Sequence, residues 1–307
     1  MFTSWIRRLR SARQEAIPDH VLKKINSIES SLNRDSVRVD ALQELRALGL
    51  TNFGQLMLQM PHSQFPLLSS LLPRMANVKV QQAWTGNSGM TLLAQSLDFV
   101  RSAAGNFAEI TGTCLDGKRI LDFGCGYGRL ARLMYYITDE NNFYGVDPWD
   151  KSLEICRDDG LVKNFYLSDF LPTRLPFDNG IRFDLIYAFS VFTHLSERAT
   201  FACLNTIKDY LAVNGVILIT IRPFEYWDFD KDTRATPTGD RLKATHLSKG
   251  FAFLPHADRS AVDGDITYGD TSMTLEWLQD NFPNLKIVSL DRSLSDPMQI
   301  YIFLQKV

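Results

Sequence analysis

The sequence predicts an α/β fold: a mostly parallel sheet that ends in a terminal antiparallel hairpin and is preceded by a helical N-terminal extension. Three observations predict it. First, the apolar run Ile120-Leu121 ends in Asp122, and glycines follow at alternate positions, Gly124, Gly126 and Gly128, before the helix-like spacing of Leu130, Leu133 and Met134. That is a buried strand turning sharply into a helix. Second, short apolar runs recur at Phe143–Asp147, Tyr166–Phe170, Phe183–Ser190 and Gly215–Thr220, separated by stretches of helical period, as repeated strand–helix units require. Third, the tail carries two strand-like runs, Leu285–Leu290 and Gln299–Leu304, joined by a short Asp/Ser-rich link.

The first of these stretches carries the chemistry. Alternate glycines admit backbone conformations closed to other residues and let a ligand approach the main chain. The helix that follows presents free N–H groups at its start, a place for polar or anionic groups. The next strand ends in Asp147, roughly 20 residues on, where nucleotide-binding folds hold a ribose. The dinucleotide fingerprint is G-x-G-x-x-G, whereas this chain reads Gly124-Cys125-Gly126-Tyr127-Gly128 with Asp122 two positions ahead, which speaks against a dehydrogenase.

The compressed spacing resembles the first motif of class I S-adenosylmethionine (SAM)-dependent methyltransferases, and the later pieces fall in that family's order. The resemblance covers roughly residues 82–307 and implies a Rossmann-like methyltransferase sheet with SAM as cofactor. It places the loop Asp122, Gly124, Cys125, Gly126 and Gly128 beside the methionine portion, and Asp147 on the ribose hydroxyls. It places the acidic residue of Tyr166-Leu167-Ser168-Asp169-Phe170 on the adenine amino group, with Phe170 beside it. Trp149, which opens the second helix, is set to pack on the adenine plane or to cover the sheet edge as a surface aromatic. Asp169 has a plain alternative as well, accepting backbone bonds in the turn before Leu171-Pro172.

Ser190-Val191-Phe192-Thr193-His194-Leu195 follows the fourth strand on the ligand edge of the sheet, with Ser190 at the cofactor. This run resembles a methyltransferase subgroup associated with sugar and surface-glycan pathways, and the resemblance faces His194 toward the transferred methyl group. A sugar hydroxyl is a poor nucleophile at neutral pH, so a placed base is expected; His194 is the first candidate and Asp270 the second. A helix is expected from Ser196 to Asn214-Gly215.

Residues 224–272 form an insertion before the final helix. Its start, Phe224–Asp232, mixes aromatics with carboxylates, a composition suited to a sugar ring. The alternating Asp228, Asp230 and Asp232 do not make a calcium loop, because Thr233 and Gly239 stand where that loop needs glycine and glutamate. No acidic/His set has metal-ligand spacing, so no metal is assigned.

Upstream, residues 1–80 read as a helical extension and 81–307 as the methyltransferase domain, with 81–117 as a lid segment. In the extension Leu42, Leu45 and Leu48 share a helix face stopped by Gly49, and Met57 and Met60 read as core. Trp84 and Thr85 lie in a polar, glycine-containing turn; they either fold over SAM or cap a helix with a core tryptophan. The N-terminus places Met1, Phe2, Trp5, Ile6 and Leu9 among Arg7, Arg8, Arg10 and Arg13, which reads either as a frayed end or as a segment that docks on an anionic membrane or a protein.

Bulk properties bound the rest. The chain has 307 residues with 45% apolar and 22% charged residues, an ordinary globular composition. A net charge of -2 gives no argument for a nucleic-acid partner. The scattered Cys114, Cys125, Cys156 and Cys203 fit a reduced, cytoplasmic protein better than a disulfide framework. No apolar run reaches membrane-spanning length, and no secretory signal is visible. The expected function is O-methylation of a sugar or glycan precursor; the alternatives are a small natural-product acceptor and a non-catalytic SAM-binding scaffold.

Overall fold

The computed structural model describes residues 17–178 and 180–307. The expected docking segment at residues 1–13 lies outside them. The chain divides into two compact units, residues up to Leu97 and residues from Asp98 onward. The division falls inside a long helix, whereas the sequence places the change of character near residue 80.

The first unit is helical: α1 (Asp19–Ser31), α2 (Arg38–Arg46), α3 (Leu50–Leu58), α4 (Pro66–Leu71), α5 (Val78–Thr85) and the start of α6 (Gly89–Thr111). The predicted apolar faces are its interior: Leu42, Leu45, Phe53, Leu56, Met57 and Met60 are all buried. Both carboxylate oxygens of Glu29 accept backbone N–H groups at the start of α4, from Leu67 at 2.7 Å and Leu68 at 2.9 Å. Two orphan donors of that short helix are thereby satisfied from a neighbouring helix. Trp84 and Thr85 are not in a turn. They form the last residues of α5, because Asn77 caps its start and Gly86 takes the left-handed conformation only after Thr85. The Thr85 hydroxyl donates back to the Gln81 carbonyl at 2.8 Å.

The second unit continues through β1 (Ile120–Phe123), α7 (Arg129–Met134), β2 (Phe143–Asp147), α8 (Asp150–Asp158), β3 (Phe165–Leu167), β4 (Phe183–Ala188), α9 (Glu197–Lys208) and β5 (Leu211–Ile221). The insertion follows as α10 (Tyr226–Phe229), α11 (Pro237–Lys249), β6 (Phe251–Pro255) and β7 (Gly269–Met273), and then α12 (Leu275–Asn281), β8 (Leu285–Arg292) and β9 (Ile300–Lys306). Seven strands form one sheet in the order β3-β2-β1-β4-β5-β9-β8. Strands β1 to β5 pair in parallel, while β9 runs antiparallel to both β5 and β8. This is the Rossmann-like sheet with its terminal antiparallel hairpin. The strand order reverses at β1, so the carboxyl ends of β1 and β4 flank a switch point, where ligands bind in open α/β sheets.

Helix α9 ends at Lys208, earlier than the sequence suggests. Residues 211–214 join β5 instead, with Leu211 opposite Phe183 and a register shift before Leu185 pairs with Val216. Gly215 is required there by closeness: a Cβ would lie 3.0 Å from the Phe183 carbonyl oxygen. The insertion builds a small core of its own. Trp227 is fully buried with Tyr226, Leu242 and Ala252, and its indole N–H donates to Ser272 Oγ at 2.8 Å. Among the aromatics of residues 224–232, then, Trp227 is structural and offers no sugar platform. The alternating aspartates are also absorbed: Asp228 meets Lys243 at 2.7 Å, and Asp230 accepts from Asp232 N and Thr233 Oγ1.

Candidate cofactor and acceptor site

The glycine loop is held in place from three sides. Gly124, Gly126 and Gly128 all have positive φ, at 79°, 53° and 73°. A Cβ on Gly124 would come within 2.4 Å of Val191, and one on Gly128 within 2.3 Å of Leu161, so these two positions are closed by packing as well as by conformation. The Gly124 and Cys125 N–H groups donate to the Val146 carbonyl at 2.8 and 3.0 Å. Beneath the loop lies Arg132, fully buried on α7. Its guanidinium donates to the carbonyls of Tyr127 at 2.7 Å and Gly128 at 2.8 Å, and to Asp159 at 3.0 Å. Burial lowers the Arg132 pKa, and Asp159 works against that loss.

Two carboxylates stand at the loop. Asp147 ends β2; its Oδ2 accepts the Gly126 N–H at 2.8 Å and its Oδ1 the Trp149 N–H at 2.9 Å. Burial raises its pKa against those hydrogen bonds. The Ser152 side chain bonds to the carboxylate as well, and a carboxylate holding three donors keeps acceptor capacity for one more hydroxyl. Asp122, at the end of β1, accepts the Tyr187 hydroxyl at 2.8 Å. Burial pushes its pKa up to about 7, against the Tyr187 bond and Arg129 and with the help of Asp147. Asp169 and Phe170 lie just past the carboxyl end of β3, both exposed. Trp149 is 40% exposed, with the Arg259 guanidinium over its ring. Cys125 is buried and its pKa raised by that burial, so it serves as loop packing.

Ser190 follows β4 with φ 59°, an uncommon conformation for a residue with a side chain. Its N–H donates to Thr220 Oγ1 at 2.7 Å, and its hydroxyl meets Thr193 Oγ1 and the Gln299 amide, each at 3.2 Å. This network holds the loop after β4 at the sheet edge, two strands from Asp147.

His194 sits on that loop with both ring nitrogens engaged. Arg222 can only donate, so His194 Nε2 accepts from it at 3.2 Å; Nδ1–H then donates to the Gly269 carbonyl at 2.7 Å. The ring stacks on Tyr268 with centroids 5.1 Å apart. Burial, then Arg222, lowers its pKa to about 3, so the imidazole is neutral. A ring so placed has no spare lone pair with which to take a proton. Asp270 is also engaged: its Oδ1 accepts from Arg222 at 2.6 Å and from the Tyr226 hydroxyl at 2.9 Å, and its Oδ2 faces His256 Nε2 at 2.8 Å. Burial alone would raise this carboxyl, but Arg222, His256 and His194 together hold it below the ordinary carboxylate range.

The insertion is stitched to the sheet edge at these residues. Gly269 N–H donates to the His194 carbonyl and Thr271 N–H to the Thr193 carbonyl, at 2.8 and 2.9 Å. Arg259 lies 4.2 Å over the Trp149 ring and 4.7 Å over that of Tyr268. A continuous wall thus runs from Asp147 through Trp149, Arg259, Tyr268 and His256 to Asp270 and Arg222. Four of its members, Arg222, His256, Arg259 and Tyr268, give no motif in the sequence. Among the described residues no group of three His, Cys, Asp or Glu side chains is arranged to hold a metal ion.

Residues 120–215, from β1 into β5, match the family model of the methyltransferase domain. This segment is a methyltransferase domain. S-adenosylmethionine is the cofactor of this enzyme, and the site fits it: a positive-φ glycine loop for close approach, a buried carboxylate with acceptor capacity left for a ribose hydroxyl, and a partly exposed indole beside them. Solved structures with a distant likeness include DesVI of Streptomyces venezuelae, 12% identical over 76% of this chain and 100% of its own, with a TM-score of 0.48. A SAM-dependent methyltransferase of Clostridium acetobutylicum ATCC 824 is 13% identical over 74% of this chain and 96% of its own, at 0.46. The CcbJ methyltransferase of Streptomyces caelestis is 15% identical over 75% and 96%, at 0.45. The family match, not these likenesses, carries the assignment. A search of curated proteins finds no match.

Proposed function

We propose that this SAM-dependent methyltransferase acts on a hydroxyl of a small polar acceptor, a sugar or glycan precursor, bound between the glycine-loop edge of the sheet and the insertion. The observation that carries the proposal is the wall of hydrogen-bonding and aromatic groups on residues 256–270, joined to Trp149 at one end and to the loop after β4 at the other. Flat apolar faces beside polar groups suit a ring with a hydroxyl rim.

SAM supplies an electrophilic methyl group. Asp147 takes the ribose, the loop from Asp122 through Gly128 the methionine end, and Trp149, Asp169 and Phe170 the adenine. Arg222 and His194 fix the floor of the acceptor side by their mutual hydrogen bond. Holding the acceptor oxygen in line with the methyl group supplies a large part of the acceleration by positioning alone. We further propose that the basic N-terminus docks on an anionic membrane or on a protein. Transfer of labelled methyl from SAM to a panel of nucleotide sugars, glycans and small metabolites tests the acceptor class. Labelling confined to non-sugar metabolites overturns it, and absence of labelling with intact SAM binding favours a scaffold.

A further inference from the structure

The geometry points to His256, positioned by Asp270, as the base that takes the acceptor's proton; this rests on the methyltransferase reading above. The role falls to a residue of the insertion rather than to His194. Asp270 is ionised and can only accept, so at 2.8 Å it fixes the proton of a neutral His256 on Nε2. That leaves the Nδ1 lone pair available, and among the described residues Nδ1 has no hydrogen-bond partner. The side chain is 34% exposed, against 18% for His194. Asp270 is itself held by Arg222 and the Tyr226 hydroxyl, so the pair cannot swing freely.

Tyr268 meets the His256 ring edge-on with centroids 5.7 Å apart, and His194 lies 6.4 Å away. Its backbone carbonyl accepts the Arg259 N–H at 3.1 Å, and Arg259 carries the guanidinium that covers Trp149. The charged and titratable groups facing it are therefore Asp270, Arg222, Arg259, His194 and Tyr268. His256 thus stands on the same wall as the predicted adenine-side aromatic, on the side proposed above for the acceptor.

In the step itself the acceptor hydroxyl oxygen forms a bond to the methyl carbon as the methyl–sulfur bond breaks, its electron pair staying on sulfur to leave S-adenosylhomocysteine. The hydroxyl proton passes to His256 Nδ1, and the imidazolium is stabilised by Asp270 until it releases the proton to water. Asp270 acts through His256 and is a positioning residue.

Two arms test this on the full chain. The first needs no acceptor: diethyl pyrocarbonate labelling mapped by peptide mass spectrometry, with ¹⁵N NMR of the imidazole tautomers. His256 is expected to label about tenfold or more faster than His194 and His246, with its proton on Nε2. A His256 that resists the reagent or carries its proton on Nδ1 overturns the proposal. The second arm uses the acceptor found by the labelled-methyl panel. His256→Asn and His256→Gln should lose about 100-fold or more in turnover while keeping the melting shift with S-adenosylhomocysteine. Asp270→Asn should lose less and displace the ascending limb of the pH–rate profile. Undiminished turnover in both His256 variants, or loss of S-adenosylhomocysteine binding in both, also overturns it. Failure of the parent protein itself to bind S-adenosylhomocysteine would instead overturn the methyltransferase reading.

Discussion

Asp122 offers the sharpest test of the site's electrostatics. It is 2% exposed, and among the described residues the only hydrogen bond to its carboxylate is from the Tyr187 hydroxyl. Its pKa rises from 3.8 to about 7, burial being the main cause. Because the folded state holds this proton more tightly than the unfolded chain, the group does not oppose folding below about pH 4. Stability is then lost as pH rises, until the loss is complete above about pH 7. A rise of about three units corresponds to about 4 kcal/mol at 1.36 kcal/mol per unit. Asp122→Asn keeps an acceptor for Tyr187 and removes the ionisation. The variant should match the parent near pH 4 and exceed it by up to about 4 kcal/mol at pH 8, a gain of roughly 10 °C in Tm for a unit of this size. Thermal unfolding of both proteins at pH 4.5 and 8 measures it. An equal difference at the two pH values, or a less stable variant at pH 8, would refute the reasoning.

Arg132→Met removes the clamp on the Tyr127 and Gly128 carbonyls and strands Asp159; denaturant unfolding should show a loss of about 3 kcal/mol or more, and calorimetry weaker S-adenosylhomocysteine binding. Arg132→Lys should not restore either, since one ammonium cannot span the same fork. Gly269→Ala drives a Cβ to within 2.0 Å of the Leu254 carbonyl oxygen and should cost about 1–3 kcal/mol in urea unfolding; a neutral result would show that the β6–β7 pair can yield. Deletion of residues 1–13 should abolish salt-sensitive binding to anionic liposomes and leave cofactor affinity unchanged; binding that is absent in the parent as well would remove the docking role.

The glycine loop and its strand were legible because their signals are local. The strand, the three glycines and Asp147 all fall within one strand–helix–strand unit, and their spacing alone dictates the loop. The terminal hairpin was legible for the same reason, as two apolar runs joined by a short link. The acceptor half was not. Arg222 meets Asp270 across 48 residues of sequence and His194 across 28, and neither contact leaves a periodicity. His194 was correctly set on the loop after β4, yet its chemistry depends on Arg222 and Gly269, which fix both nitrogens. Trp227 looked like a sugar platform because composition cannot tell an exposed aromatic from one that fills a small local core. Trp84 and Thr85 read as turn residues because Gly86 was visible and the helix leading into it was not. The Asp/His content of residues 256–270 was the one available hint of the missing groups.

The central claim is that the glycine loop and Asp147 hold S-adenosylmethionine. Isothermal titration of S-adenosylhomocysteine into the parent protein tests it most directly. The expected result is saturable binding at one site, competed by SAM, lost or strongly weakened in Asp147→Ala, and accompanied by a rise in melting temperature that grows with ligand concentration. Saturable binding of NAD with none of S-adenosylhomocysteine, or full affinity in Asp147→Ala, would contradict it.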